Sequence, residues 1–91
     1  MRNVGGRQTI DRALRLLEAF PHDRPEISMT ELAAATGLER SGVCRMLQAL
    51  REHRFVAQDP VSRRYSLGPR LFELGSRVAI RVHDGRVPVF D

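Results

Sequence analysis

The segment from Ile27 to Leu38 constrains the fold of this chain more than any other. Ser28 and Glu31 have the spacing of a capping box, in which each side chain bonds the other residue's backbone N–H at a helix N-terminus. Gly37 stands where a left-handed residue commonly ends a helix. The pattern therefore predicts a short helix that begins at about Met29 and stops at the glycine.

A second amphipathic segment follows the glycine and runs from about Glu39 to His53. Two short helices that cross steeply need a small residue where they touch and a residue that tolerates positive φ in the turn. Ala33 and Gly37 meet these needs, so we predict a helix-turn-helix, with an ordinary corner of two helices as the alternative. The apolar residues that recur at helical spacing on the second helix are Val43, Met46, Leu47 and Leu50.

Further elements are predicted on both sides of this motif. A first helix begins near Thr9, as its N-cap, and stops before Pro21, which lacks the N–H that a helix interior needs. Two strand-like runs, 55–58 and 64–67, flank a turn, and Pro69 opens a fourth helix. The apolar residues at helical spacing on the first helix are Ile10, Ala13, Leu14, Leu17 and Phe20.

The order of these elements predicts an α+β fold of the winged helix-turn-helix class. It has a three-helix core and a β-hairpin wing, followed by a fourth helix. We expect residues 1–8 to form a flexible arm, residues 9–68 the winged helix-turn-helix domain, and residues 69–91 the helical segment beyond it.

Charge is concentrated in the middle of the chain. The formal net charge is +4, and every one of the 15 basic residues is arginine. Residues 40–70 hold seven arginines and two acids, whereas the segments on either side are nearly neutral. A basic patch of this kind is typical of a nucleic-acid-binding domain.

Several other functions are not supported by the composition. Cys44 is the only cysteine, and the three histidines show no ligand spacing, so we expect no disulfide, metal or cofactor. No nucleophile, paired-acid or phosphate-loop pattern is present, so we expect no enzymatic activity. With no apolar run of about 20 residues and no secretory segment, a cytoplasmic protein is expected.

The outward side of the 39–53 helix is the predicted reading surface. A helix of this width fits the major groove of B-DNA, and its N-terminal residues enter deepest. Arg45 is central on this side, and Cys44 has three open roles: contact to a thymine methyl, a redox-sensitive thiol, or a passive cysteine. The predicted base-contacting residues are Arg40, Ser41, Cys44, Arg45 and Gln48.

Phosphate contacts are predicted from three other places. Arg63 and Arg64 on the hairpin would neutralise phosphates, with a merely solvated turn as the alternative. Ser28 and Thr30 begin the 29–37 helix, where backbone N–H groups can hold a phosphate. Arg7 in the arm would reach the adjacent minor groove.

Three stretches resemble the N-terminal domain of the IclR family of bacterial regulators: Thr9 to Leu17, Ile27 to Leu38, and Phe55 to Gly75. The resemblance implies a dimer, often assembled into tetramers, in which the first and fourth helices supply the contact. It also implies a C-terminal effector-binding domain that these 91 residues do not include, with 69–91 as the dimerisation and linker helix. The implied dimer residues are Leu14, Leu17, Leu71, Phe72, Leu74 and Val78.

The predicted function is sequence-specific binding of a pseudo-palindromic operator in double-stranded DNA by a dimeric transcription regulator. A winged-helix module that binds another protein without DNA is one alternative. An accessory domain of an enzyme is another. Only the DNA-binding hypothesis predicts affinity that falls steeply as salt rises.

Overall fold

The computed structural model describes residues 4–78 and confirms a winged helix-turn-helix. Within these residues, four helices and one two-stranded antiparallel sheet follow each other in the predicted order. The elements are α1 (Val4–Glu18), α2 (Met29–Thr36), α3 (Arg40–Glu52), β1 (Val56–Gln58), β2 (Tyr65–Leu67) and α4 (Pro69–Gly75).

Helix α2 begins and ends as its local sequence predicts. The Glu31 N–H donates to Ser28 Oγ at 3.1 Å, and the Ser28 N–H donates to Glu31 Oε1 at 3.1 Å, which completes the capping box. Gly37 has a φ of 74°, and its N–H donates to the Ala33 carbonyl at 2.8 Å. The left-handed residue that the turn needs is therefore the predicted glycine.

The core lies where α1, α2, α3 and β1 meet. The inward side of α3 supplies Val43 and Leu47, both fully buried, as its periodicity predicts. Each fully buried aliphatic side chain contributes about 1.5–3 kcal/mol relative to exposure, so these residues contribute strongly to the stability of the domain. The buried apolar residues are Leu16, Phe20, Ile27, Leu32, Ala33, Val43, Leu47 and Val56.

Helix α1 starts earlier than predicted. It begins at Val4, so residues 4–8 are not an arm and Thr9 is inside the helix rather than its N-cap; residues 1–3 lie outside the described part. Adding turns to an existing helix costs much less than nucleating one, and an ion pair of 3.8 Å joins Arg7 to Asp11 one turn later. These effects outweigh the low helix propensity of the glycines that suggested an arm.

Only some of the apolar residues predicted to line one side of α1 are buried. Leu16, which the prediction left out, is fully buried, and Phe20 is buried beside the same core. Ile10 and Leu14 are instead 59% and 52% exposed. Helix α1 therefore has two apolar sides, and periodicity alone assigned residues of both sides to one.

The wing is the hairpin of β1 and β2, with Val56 opposite Leu67 and Gln58 opposite Tyr65. Ile27 adds the predicted single residue of a third strand. Its N–H donates to the Tyr65 carbonyl at 2.9 Å, and its carbonyl accepts from the Tyr65 N–H at 2.8 Å. This bridge ties the hairpin to the start of the helix-turn-helix.

Helix α4 begins at Pro69 as predicted and ends at Gly75. The hydroxyl of Ser76 donates to the Glu73 carbonyl at 2.7 Å, and the residues from Ser76 to Val78 form a turn and a bend. The prediction of a helix through 69–91 is therefore wrong for 76–78, where the Arg77 and Val78 N–H groups donate to the carbonyls three residues back, as in the tighter turn that often ends a helix. Residues 79–91 lie outside the described part.

Candidate nucleic-acid interface

The outward side of α3 presents the predicted base-contacting residues together. Val43 and Leu47 fix the rotation of the helix by packing inward, and the opposite side is left to solvent. Glu39 is the N-cap through its extended backbone, with no side-chain bond to the helix end. The exposed residues on the outward side include all five candidates, Arg40, Ser41, Cys44, Arg45 and Gln48.

Two arginines of this surface carry charge that no nearby acid neutralises. Within residues 4–78, neither Arg40 nor Arg45 has a carboxylate within ion-pair distance. Arg54 and Arg70, by contrast, both lie against Glu73, at 3.4 and 3.0 Å. An unpaired guanidinium can donate to an incoming acceptor without first breaking an ion pair.

The N-terminus of α2 is more occupied than the sequence suggested. Glu31 Oε1 accepts from the Ser28 N–H and hydroxyl, and the carboxylate also lies 3.4 Å from both Arg24 and Arg64. The pKa of Glu31 is lowered, first by the bond from the Ser28 backbone. Thr30 is exposed at the same end. A phosphate bound here would compete with the Glu31 carboxylate for the Ser28 N–H and for Arg64.

The turn of the wing is held by Asp59. Its Oδ1 accepts from the Val61 N–H at 2.7 Å and the Ser62 N–H at 2.9 Å, and its carbonyl accepts from the Arg63 N–H at 2.8 Å. Bonds from Ser62 and then Val61 lower the pKa of Asp59. This network orders an exposed turn with almost no buried apolar surface.

Arg63 is placed at the end of this turn with its charge free. Its side chain is exposed, and no acid in the described part of the chain pairs with it. Its backbone has a φ of 67°, a conformation that costs a side-chain-bearing residue roughly 1 kcal/mol. Of the two wing arginines, Arg63 is therefore the one available to a phosphate, whereas Arg64 is shared with Glu31.

Arg7 occupies a different position from the one predicted. It lies in the first turns of α1 and pairs with Asp11, so it cannot enter a minor groove as part of an extended arm. The prediction of a flexible arm at this residue is wrong because α1 extends back to Val4, while contact of Arg7 with DNA stays a prediction.

The structure also brings residues to this surface that sequence reasoning missed. Arg51, in the last turn of α3, donates to Gln58 of β1, which donates in turn to the Arg63 carbonyl at 3.2 Å. No local pattern reveals this chain of contacts, because it joins a helix, a strand and a turn. Arg12 of α1 was also missed; it lines a cleft of about 640 Å³ together with Arg45 of α3.

The implied dimer residues fall into two groups by exposure. Leu14, Phe72 and Val78 are 52%, 82% and 44% exposed. Leu17, Leu71 and Leu74 are half-buried, and Leu17 packs partly against the core. Helices α1 and α4 therefore both keep apolar surface in solvent.

Other kinds of site are not found in the described part of the chain. Among residues 4–78, no three acidic, histidine or cysteine side chains group as metal ligands would. The same residues include no helix long and apolar enough to cross a bilayer. Cys44 is a free, exposed cysteine.

Comparison with known proteins identifies the architecture independently. Residues 9–60 match the family model described as the IclR helix-turn-helix domain. The chain is 42% identical over 62 residues to the transcriptional regulator KdgR of Escherichia coli, covering 68% of this chain and 23% of that protein. It is 32% identical over 73 residues to the transcriptional repressor IclR of the same organism, covering 80% of this chain and 27% of the repressor.

Solved structures give the same result. An IclR transcriptional regulator from Alicyclobacillus acidocaldarius superposes with a TM-score of 0.72 at 38% identity, over 77% of this chain and 28% of that one. The chain spans between a fifth and a third of the length of the curated relatives it matches.

Proposed function

The chain belongs to the IclR family of transcription regulators, and we propose that it binds double-stranded DNA sequence-specifically, as a dimer, at a pseudo-palindromic operator. One observation carries the proposal. The side of α3 opposite the core exposes polar and cationic side chains, and Arg40 and Arg45 on this side have no acidic partner among residues 4–78.

In the proposed complex, α3 lies in the major groove and reads base edges. Arg45 is central on the outward side, and a guanidinium can donate to both acceptors of guanine. Gln48, one turn further on, can pair with adenine, and Ser41 near the helix start can donate or accept. Arg40 and Cys44 flank this row of residues.

The wing fixes the position of the domain on the DNA and adds affinity, but it does not discriminate between base sequences. Arg63 extends from an ordered turn and would neutralise a backbone phosphate. Each phosphate that is neutralised releases a counterion, so binding must weaken as salt rises. The two regions therefore have separable roles, base reading by α3 and backbone contact by the wing.

A titration of labelled duplex at several salt concentrations tests this division with Arg45→Ala and Arg63→Ala. Duplexes selected from a randomised library serve as specific sites, and a random-sequence duplex reports nonspecific affinity. Arg45→Ala is expected to lose about 1–3 kcal/mol of discrimination at one base pair. Arg63→Ala is expected to weaken all duplexes alike and to reduce the slope of log affinity against log salt by about 0.9.

Arg70→Ala is the matched control, because it removes the same charge from an arginine that is paired with Glu73 in α4. Affinity of the unmodified chain that is independent of salt would reject DNA binding and favour the protein-binding alternative. Equal effects of Arg45→Ala on every base pair would leave DNA binding intact but reject base reading by that residue.

We propose that two copies of the chain form a dimer through the exposed apolar surface of α1 and α4. Phe72→Glu alters a side chain that is 82% exposed, so the fold of one protomer is expected to survive. Sedimentation should then show a monomer where the unmodified chain sediments as a dimer. Val61→Glu, at 90% exposure on the wing, is the control and should leave the mass unchanged. A Phe72→Glu dimer would reject this interface.

The effector-binding domain and the cytoplasmic location remain predictions of the sequence and the resemblance.

A further inference from the structure

The side chain of Gln58 connects the recognition helix to the wing. On one side, its Oε1 accepts a hydrogen bond from Arg51 in the last turn of α3. On the other side, its Nε2 donates to the Arg63 carbonyl at 3.2 Å. Gln58 is the last residue of β1, and its backbone lies opposite Tyr65 in the hairpin.

These bonds act on the most constrained residue of the wing. Arg63 has a positive φ, which a residue with a side chain adopts only when its surroundings hold it there. Its N–H is bonded to the Asp59 carbonyl and its carbonyl to Gln58, so both polar groups of its backbone are held from the β1 side. Through the bond from Arg51, the Gln58 side chain connects this turn to α3.

We propose that Gln58 is a positioning residue that locks the wing at a fixed distance and angle from the recognition helix, with Arg51 acting through it. The inference rests on the proposed function, because the lock matters where α3 and Arg63 must reach a groove and a phosphate at once. A wing already in place spares the complex the entropy of ordering it on binding.

Arg51 has a second possible role that the same experiment separates. It is an exposed arginine on α3, and a direct phosphate contact would also weaken DNA binding when it is removed. A positioning role and a phosphate contact differ in their effect on the salt dependence of binding. Loss of a contact lowers the salt slope, whereas loss of the lock leaves the ionic contacts of the bound state unchanged.

Amide hydrogen exchange of the full chain without DNA measures how firmly Gln58 holds the turn of the wing. In Gln58→Ala, the Arg63 and Asp59 amides, which are bonded within the turn, should exchange about tenfold faster than in the unmodified chain. Gln58→Glu keeps an acceptor for Arg51 but loses the donor to Arg63, so it should also release the turn. Gln8→Ala, at an exposed glutamine of α1, is the control and should change neither amide.

Duplex titrations then measure the consequence for binding. Gln58→Ala should weaken all duplexes roughly three- to tenfold with an unchanged salt slope, since two hydrogen bonds but no charge are lost. As a single substitution, Arg51→Ala should weaken binding. When it is added to Gln58→Ala, it should weaken binding little further. Such non-additivity is expected when two residues act through one contact.

Three results would overturn the proposal: unchanged exchange of the turn amides in Gln58→Ala, unchanged duplex affinity despite faster exchange, or fully additive effects of Arg51→Ala and Gln58→Ala. Faster exchange in the variants without any salt-dependent DNA binding would support the positioning role of Gln58 but reject the proposed DNA-binding function. The two failures are therefore distinguishable.

Discussion

The helix-turn-helix and the wing are held in their shapes by different physical means. The helix-turn-helix depends on buried apolar side chains, such as Leu32 of α2 and Leu47 of α3, both fully buried. The turn of the wing, residues 59–64, buries almost nothing and depends on hydrogen bonds that the Asp59 carboxylate accepts and the Gln58 amide donates. The two surfaces that we propose contact DNA are therefore stabilised differently, one by a packed core and the other by hydrogen bonds.

This contrast bears on how each region can reach DNA. A helix seated on a packed core presents its outward residues at fixed positions, which base reading requires. A hydrogen-bonded turn is easier to open locally, and its backbone contacts tolerate small shifts. Substitutions at the residue that joins the wing to α4, and at the carboxylates that order each region, should therefore affect the two regions differently.

The largest effect is expected at Gly68, where β2 meets α4. A Cβ at this position would lie 2.9 Å from both the Phe55 carbonyl carbon and the Val56 nitrogen, which are backbone atoms and cannot move aside. The Gly68 N–H also donates to the Phe55 carbonyl at 2.7 Å. Gly68→Ala should lower the free energy of unfolding by about 3 kcal/mol, as measured by urea denaturation.

Gly42→Ala is the matched substitution in the helix-turn-helix. A Cβ on Gly42 meets no atom within 4 Å, so the change should raise the free energy of unfolding by roughly 0.5–1 kcal/mol through helix propensity. If this glycine keeps room for DNA, the more stable variant will bind duplex more weakly. Similar stabilities for the two alanine variants would contradict the close approach at Gly68.

A smaller effect is expected from acid, and it should appear in both regions. Glu31 in the helix-turn-helix and Asp59 in the wing both have lowered pKa values, because backbone N–H groups bond their charged forms. The folded chain therefore binds a proton at these sites less readily than the unfolded chain does. The stability they contribute is full above the pKa of the unfolded chain and is lost as pH falls through the folded pKa.

Glu31→Gln and Asp59→Asn separate the two contributions. Each variant should be less stable than the unmodified chain at neutral pH and should lose less stability on acidification, as followed by denaturation across acidic pH. Asp23→Asn, at an exposed carboxylate outside both networks, is the control. An acid profile that neither substitution alters would mean that other carboxylates carry the dependence.

Much of the helix-turn-helix was predictable from sequence because its signals are local. The capping box at Ser28 and Glu31, the left-handed Gly37 and the apolar spacing of α3 each act within a few residues, and the structure confirms all three. The order of the elements and the exposure of the five candidate base-contacting residues followed from the same signals.

Predictions from sequence were wrong about where α1 and α4 begin or end and about which side of α1 is buried. The glycines near the N-terminus predicted an arm, yet α1 runs back to Val4. The apolar residues of α1 were assigned to one stripe, although Leu16 faces the core and Leu14 faces solvent. At the other end, helical periodicity beyond Gly75 did not show that α4 ends there.

By itself, the sequence determined the elements of the domain and the sides of α3, because caps, turns and periodicity operate between near neighbours in the chain. Only the tertiary structure decided which arginines are free. Arg64 is drawn to Glu31, 33 residues away along the chain, while Arg63 stays unpaired among residues 4–78. It also decided that Gln58 joins α3 to the wing, since contacts between separate elements depend on how those elements pack.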